Sequence, residues 1–207
     1  MAQYFHIHPE SPQHRLIVQA ARILDNGGVA VYPTDSCYAI GCHIGDKAAL
    51  ERVRRIRRLD ETHSLTLICK DLTEIATYAR LSNSAFRLIK ALTPGPYTFL
   101  LPATRDVPRS LQHRKRKTIG LRVPDHPVTA ALLEELGQPL LTTSLILPGD
   151  DVPLSEPEII NNRLGKQVDL VIDAGAGGLA STSVIDLTDD VPVIVRHGKG
   201  DVSMIGS

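Results

Sequence analysis

Apolar positions along this chain recur with two different periods, which predict helices alternating with strands. Apolar residues three to four positions apart predict amphipathic helices over 11–25, 46–56, 82–92, 126–136 and 156–164. Short apolar runs bounded by glycine, proline or polar residues predict strands over 29–31, 38–41, 65–69, 97–101, 118–123, 140–147, 168–172, 183–187 and 191–195. The alternation favours the α/β class, as an open, twisted, mixed sheet with flanking helices.

Capping signals mark the ends of several predicted helices. Ser11, Asp46 and Ser82 stand where an N-cap side chain would accept a backbone hydrogen bond. Gly137 follows another predicted helix, as is typical of a C-terminal cap. No linker, low-complexity tract or internal repeat interrupts the pattern, so a single domain over 1–207 is expected.

The composition is that of a globular protein, with 43% hydrophobic and 22% charged residues. The apolar runs are shorter than the roughly 18 residues of a membrane span, and no basic segment followed by an apolar one opens the chain. A cytoplasmic protein without a membrane partner is therefore expected. The cysteines Cys37, Cys42 and Cys69 are expected to be reduced thiols. They lack the further cysteine or histidine pair of a zinc site, so no bound metal is expected.

Positive charge is concentrated in two segments although the net charge is zero. The first segment holds Arg52, Arg54, Arg55, Arg57 and Arg58, and the second holds Arg114, Lys115, Arg116 and Lys117. Such clusters can form a local anion site in a neutral protein. A solvated helix face and a flexible basic loop are the alternative interpretations. No aromatic residues interleave the second segment, so base stacking is not indicated.

Hydroxyl and arginine side chains collect near predicted strand ends, where open α/β sheets bind ligands. They are Thr34, Ser36, Thr118, Arg122, Thr142, Thr143, Ser144, Ser181, Thr182, Ser183 and Arg196. Hydroxyls and guanidiniums hydrogen-bond carboxylates, riboses and phosphates, which predicts a small anionic ligand. The glycine-rich signatures of P-loop nucleotidases and dinucleotide-binding folds are absent, and so is the nucleophile elbow of α/β-hydrolases.

Five ordered segments carry a resemblance to a known family. They are 27–41 (GGVAVYPTDSCYAIG), 94–101 (PGPYTFLL), 118–127 (TIGLRVPDHP), 182–186 (TSVID) and 195–198 (VRHG). In these segments the chain resembles the YrdC-type family, the threonylcarbamoyl-AMP synthases, and especially its short YciO-type branch. The resemblance implies an open α/β sheet around a concave, basic cavity.

The resemblance also implies a reaction and its partners. ATP, L-threonine and bicarbonate would form threonylcarbamoyl-AMP and pyrophosphate, for the t6A modification of tRNA. Mg²⁺ would arrive with ATP. Members of the family are also linked to double-stranded RNA or tRNA, so RNA is a further expected partner.

Residue roles follow from the resemblance by position. Amino-acid binding falls on Thr34, Arg122, Thr142 and Thr182. Nucleotide binding falls on Arg55, Arg57, Thr118, Ser144 and Arg196. The RNA-binding candidates are Arg52, Arg54, Arg55, Arg58, Arg114, Lys115, Arg116 and Lys117. No residue stands out as an obligatory general base.

Two departures from the family pattern leave three functions open. The K-x-R of the synthases is replaced by arginines between Arg55 and Arg58, in a register that is ambiguous by two residues, and their S-x-N becomes Ser144-Leu145-Ile146. An isoleucine cannot supply the hydrogen bonds of an amide. The chain is therefore expected to be a weak or altered synthase, a noncatalytic RNA-binding protein, or an adenylate-forming enzyme for a different amine.

Overall fold

A ten-stranded sheet forms the centre of the molecule, seen in a computed structural model that describes residues 1–60, 63 and 65–205. The strands are β1 Gln3–His6, β2 Val29–Tyr32, β3 Ala39–His43, β4 Thr66–Ile68, β5 Tyr97–Pro102, β6 Thr118–Arg122, β7 Leu140–Ser144, β8 Leu170–Asp173, β9 Ser183–Asp186 and β10 Val193–Arg196. Their order across the sheet is β1-β8-β2-β3-β7-β4-β6-β5-β9-β10. Parallel and antiparallel neighbours both occur, so the predicted mixed sheet is confirmed.

Six helices flank this sheet in the described part of the chain. They are α1 His14–Asp25, α2 Lys47–Arg57, α3 Leu72–Tyr78, α4 Asn83–Leu92, α5 Pro127–Leu136 and α6 Pro157–Leu164. No helix among the described residues is long and apolar enough to cross a membrane.

The helix starts test the predicted caps. Asp46 accepts from the Ala49 amide at 2.9 Å, and Ser82 accepts from the Ala85 amide at 3.2 Å, so both predicted caps are confirmed. The prediction for Ser11 is wrong, because α1 begins after Gln13. The Ser11 amide instead donates to the ring of His8, which holds this residue in the turn before the helix.

The apolar pattern of the sequence did not predict two short elements, β1 and α3. Strand β1 buries only Phe5, and the seven-residue helix α3 buries only Ile75. A single buried residue sets up no repeat of apolar positions, so the sequence pattern cannot indicate a helix or strand there.

Alternating side chains divide the apolar core between the two faces of the sheet. Val29 and Val31 of β2 pack on the face that α2 and α6 cover, whereas Ala30 and Tyr32 pack on the opposite face, against α1 and α5. Strand β2 is buried along its whole length, as expected where helices cover both faces. The core on the face of α1 and α5 includes residues from β1, β8, β2, β3 and β7 and only Ile68 of β4. On this face, β7, β4 and the strands beyond β4 form the floor of a cavity.

Candidate functional site

The cavity on the uncovered half of this face has a volume of about 460 Å³. Its walls come from Cys37, Ala39, His63, Thr66, Thr98, Leu100, Arg122, Thr142, Thr143, Ser144, Thr182, Val184, Val195 and Arg196. Five of the predicted ligand-binding residues are therefore brought together, namely Arg122, Thr142, Ser144, Thr182 and Arg196. They come from segments up to 74 residues apart in sequence, so the fold and not local sequence assembles the site.

Strand register places hydroxyls side by side on the cavity floor. Thr66 pairs with Thr142 on one side and with Gly120 on the other, so all three positions face the cavity. A Cβ atom at Gly120 would lie 2.9 Å from Thr66 Oγ1 and 3.4 Å from Thr98 Cγ2. The missing side chain of Gly120 therefore keeps open the space between these two threonines.

Three of the floor hydroxyls are fixed by buried hydrogen bonds. Tyr32 donates to Thr142 Oγ1 at 2.9 Å, and burial raises the pKa of the Tyr32 phenol well above its ordinary value. Tyr32 reaches this threonine through the space above Gly41, where a Cβ atom would lie 2.7 Å from the phenol oxygen. Across the floor, the hydroxyls of Thr98 and Thr182 are 2.8 Å apart. The floor is thus a set of oriented hydroxyls, which suits the oxygens of a polar ligand.

Arg122 is the buried cation of the cavity. Its side chain is 7% exposed, and its guanidinium forms an ion pair with the equally buried carboxylate of Asp35. It also donates to Thr34 Oγ1 at 3.2 Å. The second oxygen of Asp35 accepts from the Asp125 amide at 3.0 Å. The Nε of Arg122 is buried without a hydrogen-bond partner among the described residues, so this N–H group is left unpaired.

Thr34 lies behind Arg122, and its hydroxyl is used by its own loop. It donates to the Cys37 carbonyl at 2.6 Å and accepts from the amides of Ser36 and Cys37. This closed turn positions the loop that carries Asp35 and Cys37. Thr34 does not form part of the cavity wall, and it contacts the site through two wall residues, Cys37 and Arg122.

Positive charge gathers at the end of the cavity near Cys37. Arg196 donates through Nε and a terminal nitrogen to the Thr182 carbonyl, at 3.0 and 2.9 Å. Arg196 and Cys37 both line the cavity wall. Burial lowers the pKa of Arg196 and of Arg57, and the Cys37 thiol acts to raise it in both cases. The Nε of Arg57 is buried without a partner in the described structure.

His63 lines the cavity together with Arg196 and lies within the electrostatic influence of Arg57. Burial lowers its pKa most, and the charge of Arg57 lowers it next. Arg196 and Arg54 act in the same direction, whereas Asp60 acts against them. The imidazole is therefore neutral near pH 7, and either ring nitrogen can serve a ligand as donor or acceptor.

Three of the predicted nucleotide-binding residues, Arg55, Arg57 and Thr118, are not part of the cavity wall. Thr118 shares the sheet face of Arg122 but begins strand β6, where it lines a neighbouring hollow of about 770 Å³. The hollow and the cavity share Val195, so an elongated ligand would pass from one to the other beside this residue. Arg55 is exposed on α2 and lines neither space.

The second basic segment forms a continuous cationic surface beside the cavity. Arg114 and Arg116 line two adjoining hollows of about 840 and 600 Å³, and His63 joins the smaller one to the cavity. Further cations of these walls are Arg54, Arg80, Arg105, Arg109, Lys115 and Lys117. Arg80, Arg105 and Arg109 were not predicted, because they are scattered in sequence.

The other RNA-binding candidates lie away from this surface. Arg52 is held by Asp169 at 2.8 Å and donates to the Gln167 carbonyl, next to β8. Arg55 is exposed on α2, and Arg58 ends that helix with a φ of 48°. The arginines of the first basic segment therefore do not form one common surface.

Sequence reasoning also missed several residues of the site. Asp35, Cys37, His63, Thr66 and Thr98 were not assigned to it. Thr98 had a detectable signal, since it stands in the matched segment 94–101 and alternates with Leu100 on one face of β5. His63 and Thr66 had none, because their role depends on neighbours distant in sequence. Within the described residues, no group of three or more histidines, cysteines or carboxylates could hold a metal ion.

The fold and the cavity together define an α/β protein whose open sheet bears a cationic, hydroxyl-lined ligand cavity. The chain belongs to the Sua5/YciO/YrdC family, whose model, described as "Telomere recombination", matches residues 22–198. It is 58% identical to the uncharacterized protein YciO of Escherichia coli (strain K12), over 98% of both chains. It is also 34% identical to the threonylcarbamoyl-AMP synthase of Nitrosococcus oceani, over 80% of this chain and 89% of that one.

Solved structures agree with this assignment. The crystal structure of E. coli YciO superimposes with a TM-score of 0.95 and covers 98% of each chain. P. abyssi Sua5 complexed with L-threonine gives a TM-score of 0.87 at 24% identity, over 95% of this chain and 58% of that one. The second likeness confirms the fold, and the L-threonine belongs to that protein.

Proposed function

We propose that this chain is a nucleotide-binding enzyme that forms threonylcarbamoyl-AMP slowly, in the cytoplasm, for the t6A modification of tRNA. The observation that carries the proposal is the convergence of Arg122, Thr142, Ser144, Thr182 and Arg196 on one cavity. The 34% identity to a threonylcarbamoyl-AMP synthase supports the same chemistry. Amino-acid binding is assigned to Arg122 and Thr142 in the cavity wall, and phosphate binding to Arg196 in the wall together with the nearby Arg57.

The proposed reaction needs orientation and charge neutralisation more than a protein nucleophile. The amine of L-threonine combines with bicarbonate to give a carbamate and water. A carbamate oxygen then attacks the α-phosphorus of ATP, and the bond to the leaving pyrophosphate breaks. The guanidiniums of Arg57 and Arg196 would neutralise phosphate oxygens, and the floor hydroxyls would orient the carbamate. Mg²⁺ would enter with ATP and neutralise further phosphate charge.

The proposed rate is low for two structural reasons. Arg122, which would bind the carboxylate of L-threonine, already pairs with Asp35. Ile146 stands where the synthases carry an amide, so one polar contact is missing. Loss of one such contact costs about 1–3 kcal/mol when its partner stays unpaired.

The test is direct product analysis. Purified protein is incubated with ATP, Mg²⁺, bicarbonate and L-threonine, and pyrophosphate and the adenylate are measured, the latter by mass spectrometry. Pyrophosphate release that depends on both bicarbonate and L-threonine is the expected result. A complete lack of adenylate, while ATP still binds, would refute the synthase function.

The Asp35–Arg122 pair also favours a second candidate, an adenylate-forming enzyme for a different amine. A substrate without a free carboxylate would not need to displace Asp35 from the guanidinium. Replacing L-threonine by other amino acids and by amines that lack the carboxylate tests this candidate in the same assay. Faster pyrophosphate release with a carboxylate-free amine is its expected signature.

The cationic surface beside the cavity favours a third candidate, binding of double-stranded RNA or tRNA. Arg80, Arg105 and Arg109 extend this surface beyond Arg114 and Arg116. Phosphate binding by such a surface must weaken as salt rises, because counterions are released on binding. Duplex RNA affinity that does not change with salt would contradict this candidate.

A further inference from the structure

A shallow groove on another part of the surface has no role in the proposed function. It has a volume of about 430 Å³ and is lined by residues 149–156 together with Ile159 and Leu179; we refer to it as the acidic groove. Three of its large apolar side chains face solvent. Val152 is 52% exposed, Ile159 50% and Leu179 58%. Clustered exposed apolar side chains with a polar rim are typical of interaction sites.

Carboxylates dominate the rim of the acidic groove. Asp150, Asp151 and Glu156 line it, and Glu158 is exposed one residue before Ile159. Asp150 is paired with Arg163 at 2.9 Å. In the part of the chain that the structure describes, Asp151 and Glu156 form no ion pair. The groove therefore combines apolar anchoring positions with uncompensated negative charge.

Backbone contacts hold the walls of the groove in place. The Gly177 amide donates to the Ser155 carbonyl at 2.8 Å, which joins the loop of Leu179 to residues 149–156. The Leu154 amide donates to the Leu145 carbonyl at 2.9 Å, which ties the same residues to the end of β7. Leu179 itself forms a β-bridge with Cys37. A partner would therefore meet a preformed surface and would bind with little ordering cost.

We propose that the acidic groove docks a basic amphipathic segment of a partner protein. Apolar residues of that segment would contact Val152, Ile159 and Leu179. Its lysine or arginine side chains would face Asp151 and Glu156. Nucleic acids and anionic membranes are disfavoured occupants, because the rim carboxylates repel them. The acidic groove is a separate site from the cavity, since the two share no lining residue and touch only where Leu179 pairs with Cys37.

The test uses a synthetic helical peptide of leucine and lysine with one apolar face, and a matched peptide in which glutamate replaces lysine. Fluorescence anisotropy of the labelled peptides measures binding to the full chain. Saturable binding of the lysine peptide and none of the glutamate peptide is expected. Val152→Ser and Ile159→Ser should each weaken binding at least about fivefold, which corresponds to about 1 kcal/mol.

Controls separate this docking from general stickiness. Phe86, 41% exposed on α4, supplies the matched variant Phe86→Ser, which should bind the lysine peptide as the unmodified chain does. The joint change of Asp151→Asn and Glu156→Gln should weaken binding and reduce its salt dependence. Equal loss in Phe86→Ser, or equal binding of both peptides, would overturn the proposal. Concentration-dependent doubling of mass that Val152→Ser abolishes would assign the groove to a second copy of the chain and would also overturn it.

Discussion

The guanidinium of Arg122 is paired with the carboxylate of Asp35 inside the protein, where both side chains are less than a tenth exposed. The residue expected to hold a ligand's carboxylate therefore already has an internal anion. A ligand carboxylate must either displace Asp35 or use N–H groups of the guanidinium that Asp35 does not occupy, such as Nε. Because a buried charge without a partner is costly, Asp35 also stabilises the ligand-free cavity.

Replacing Asp35 by asparagine should increase the affinity for L-threonine. The amide retains an oxygen that can accept from Asp125, but it no longer neutralises Arg122. We expect roughly tenfold tighter binding in isothermal titration calorimetry, which corresponds to about 1.4 kcal/mol. The free energy of unfolding should fall by about 3 kcal/mol in the absence of ligand, because the buried guanidinium loses its anion. Unchanged or weaker L-threonine binding in a folded variant would show that Asp35 does not compete with the ligand.

Arg122→Ala should abolish the dependence of pyrophosphate release on the amino acid. The variant removes the buried cation of the cavity wall, so a carboxylate loses its bidentate partner there. Arg87→Ala, at an exposed position of α4, is the matched control and should leave turnover unchanged. Turnover of Arg122→Ala that still responds to L-threonine would remove Arg122 from the amino-acid site.

Restoring the two divergent positions should raise synthase activity. Ile146→Asn returns an amide, and Arg57→Lys returns a point charge in place of a planar fork. One recovered polar contact of about 1–3 kcal/mol corresponds to roughly ten- to hundredfold faster adenylate formation at limiting substrate. Mass spectrometry of threonylcarbamoyl-AMP measures the change. An increase with Arg57→Lys but not with Arg55→Lys would also resolve the register of this segment.

The hydrogen bond from Tyr32 to Thr142 should stabilise the fold as well as the site. Thr142→Val leaves the buried phenol without its acceptor, which should cost about 1–3 kcal/mol of the free energy of unfolding. Tyr32→Phe removes the donor and should cost less. The double variant should be more stable than the sum of the two losses predicts. Urea unfolding of all four proteins gives the coupling energy, and a coupling near zero would contradict the bond.

Folding stability should decrease as the pH falls, with a contribution from His63. Its pKa in the folded protein is lowered from 6.5, mainly by burial and then by Arg57. The unfolded chain therefore binds the proton more readily, so stability is highest above pH 6.5 and is lost from there down to the lowered pKa. Urea midpoints at about pH 7.5 and about pH 5.5 should differ less in His63→Gln than in the unmodified chain. His126, whose pKa burial also lowers, is present in both proteins and cancels in the comparison.

The sequence predicts the sheet and most helices because their apolar runs and repeats are local patterns. It predicts Arg122, Thr182 and Arg196 of the site because they lie in segments that match the family. The N-caps at Asp46 and Ser82 could be predicted because a cap depends only on residues close in sequence, and both are confirmed. The Asp35–Arg122 pair could not be foreseen, since 87 residues separate its members and only the β6 register brings them together. The position of Thr118 in a separate hollow likewise depends on strand length, since four residues of β6 span about 13 Å.

The cavity draws its lining from Cys37 to Arg196, and its strands include both neighbours of the central β7 and the edge strand β10. No partial fragment of this sheet can offer the complete set of ligand contacts. A ligand of the cavity consequently binds only the fully folded chain, and it stabilises only molecules in which all of these strands are paired in the sheet. Ligand-dependent protection from proteolysis should therefore extend from the first matched segment to the last as one cooperative unit.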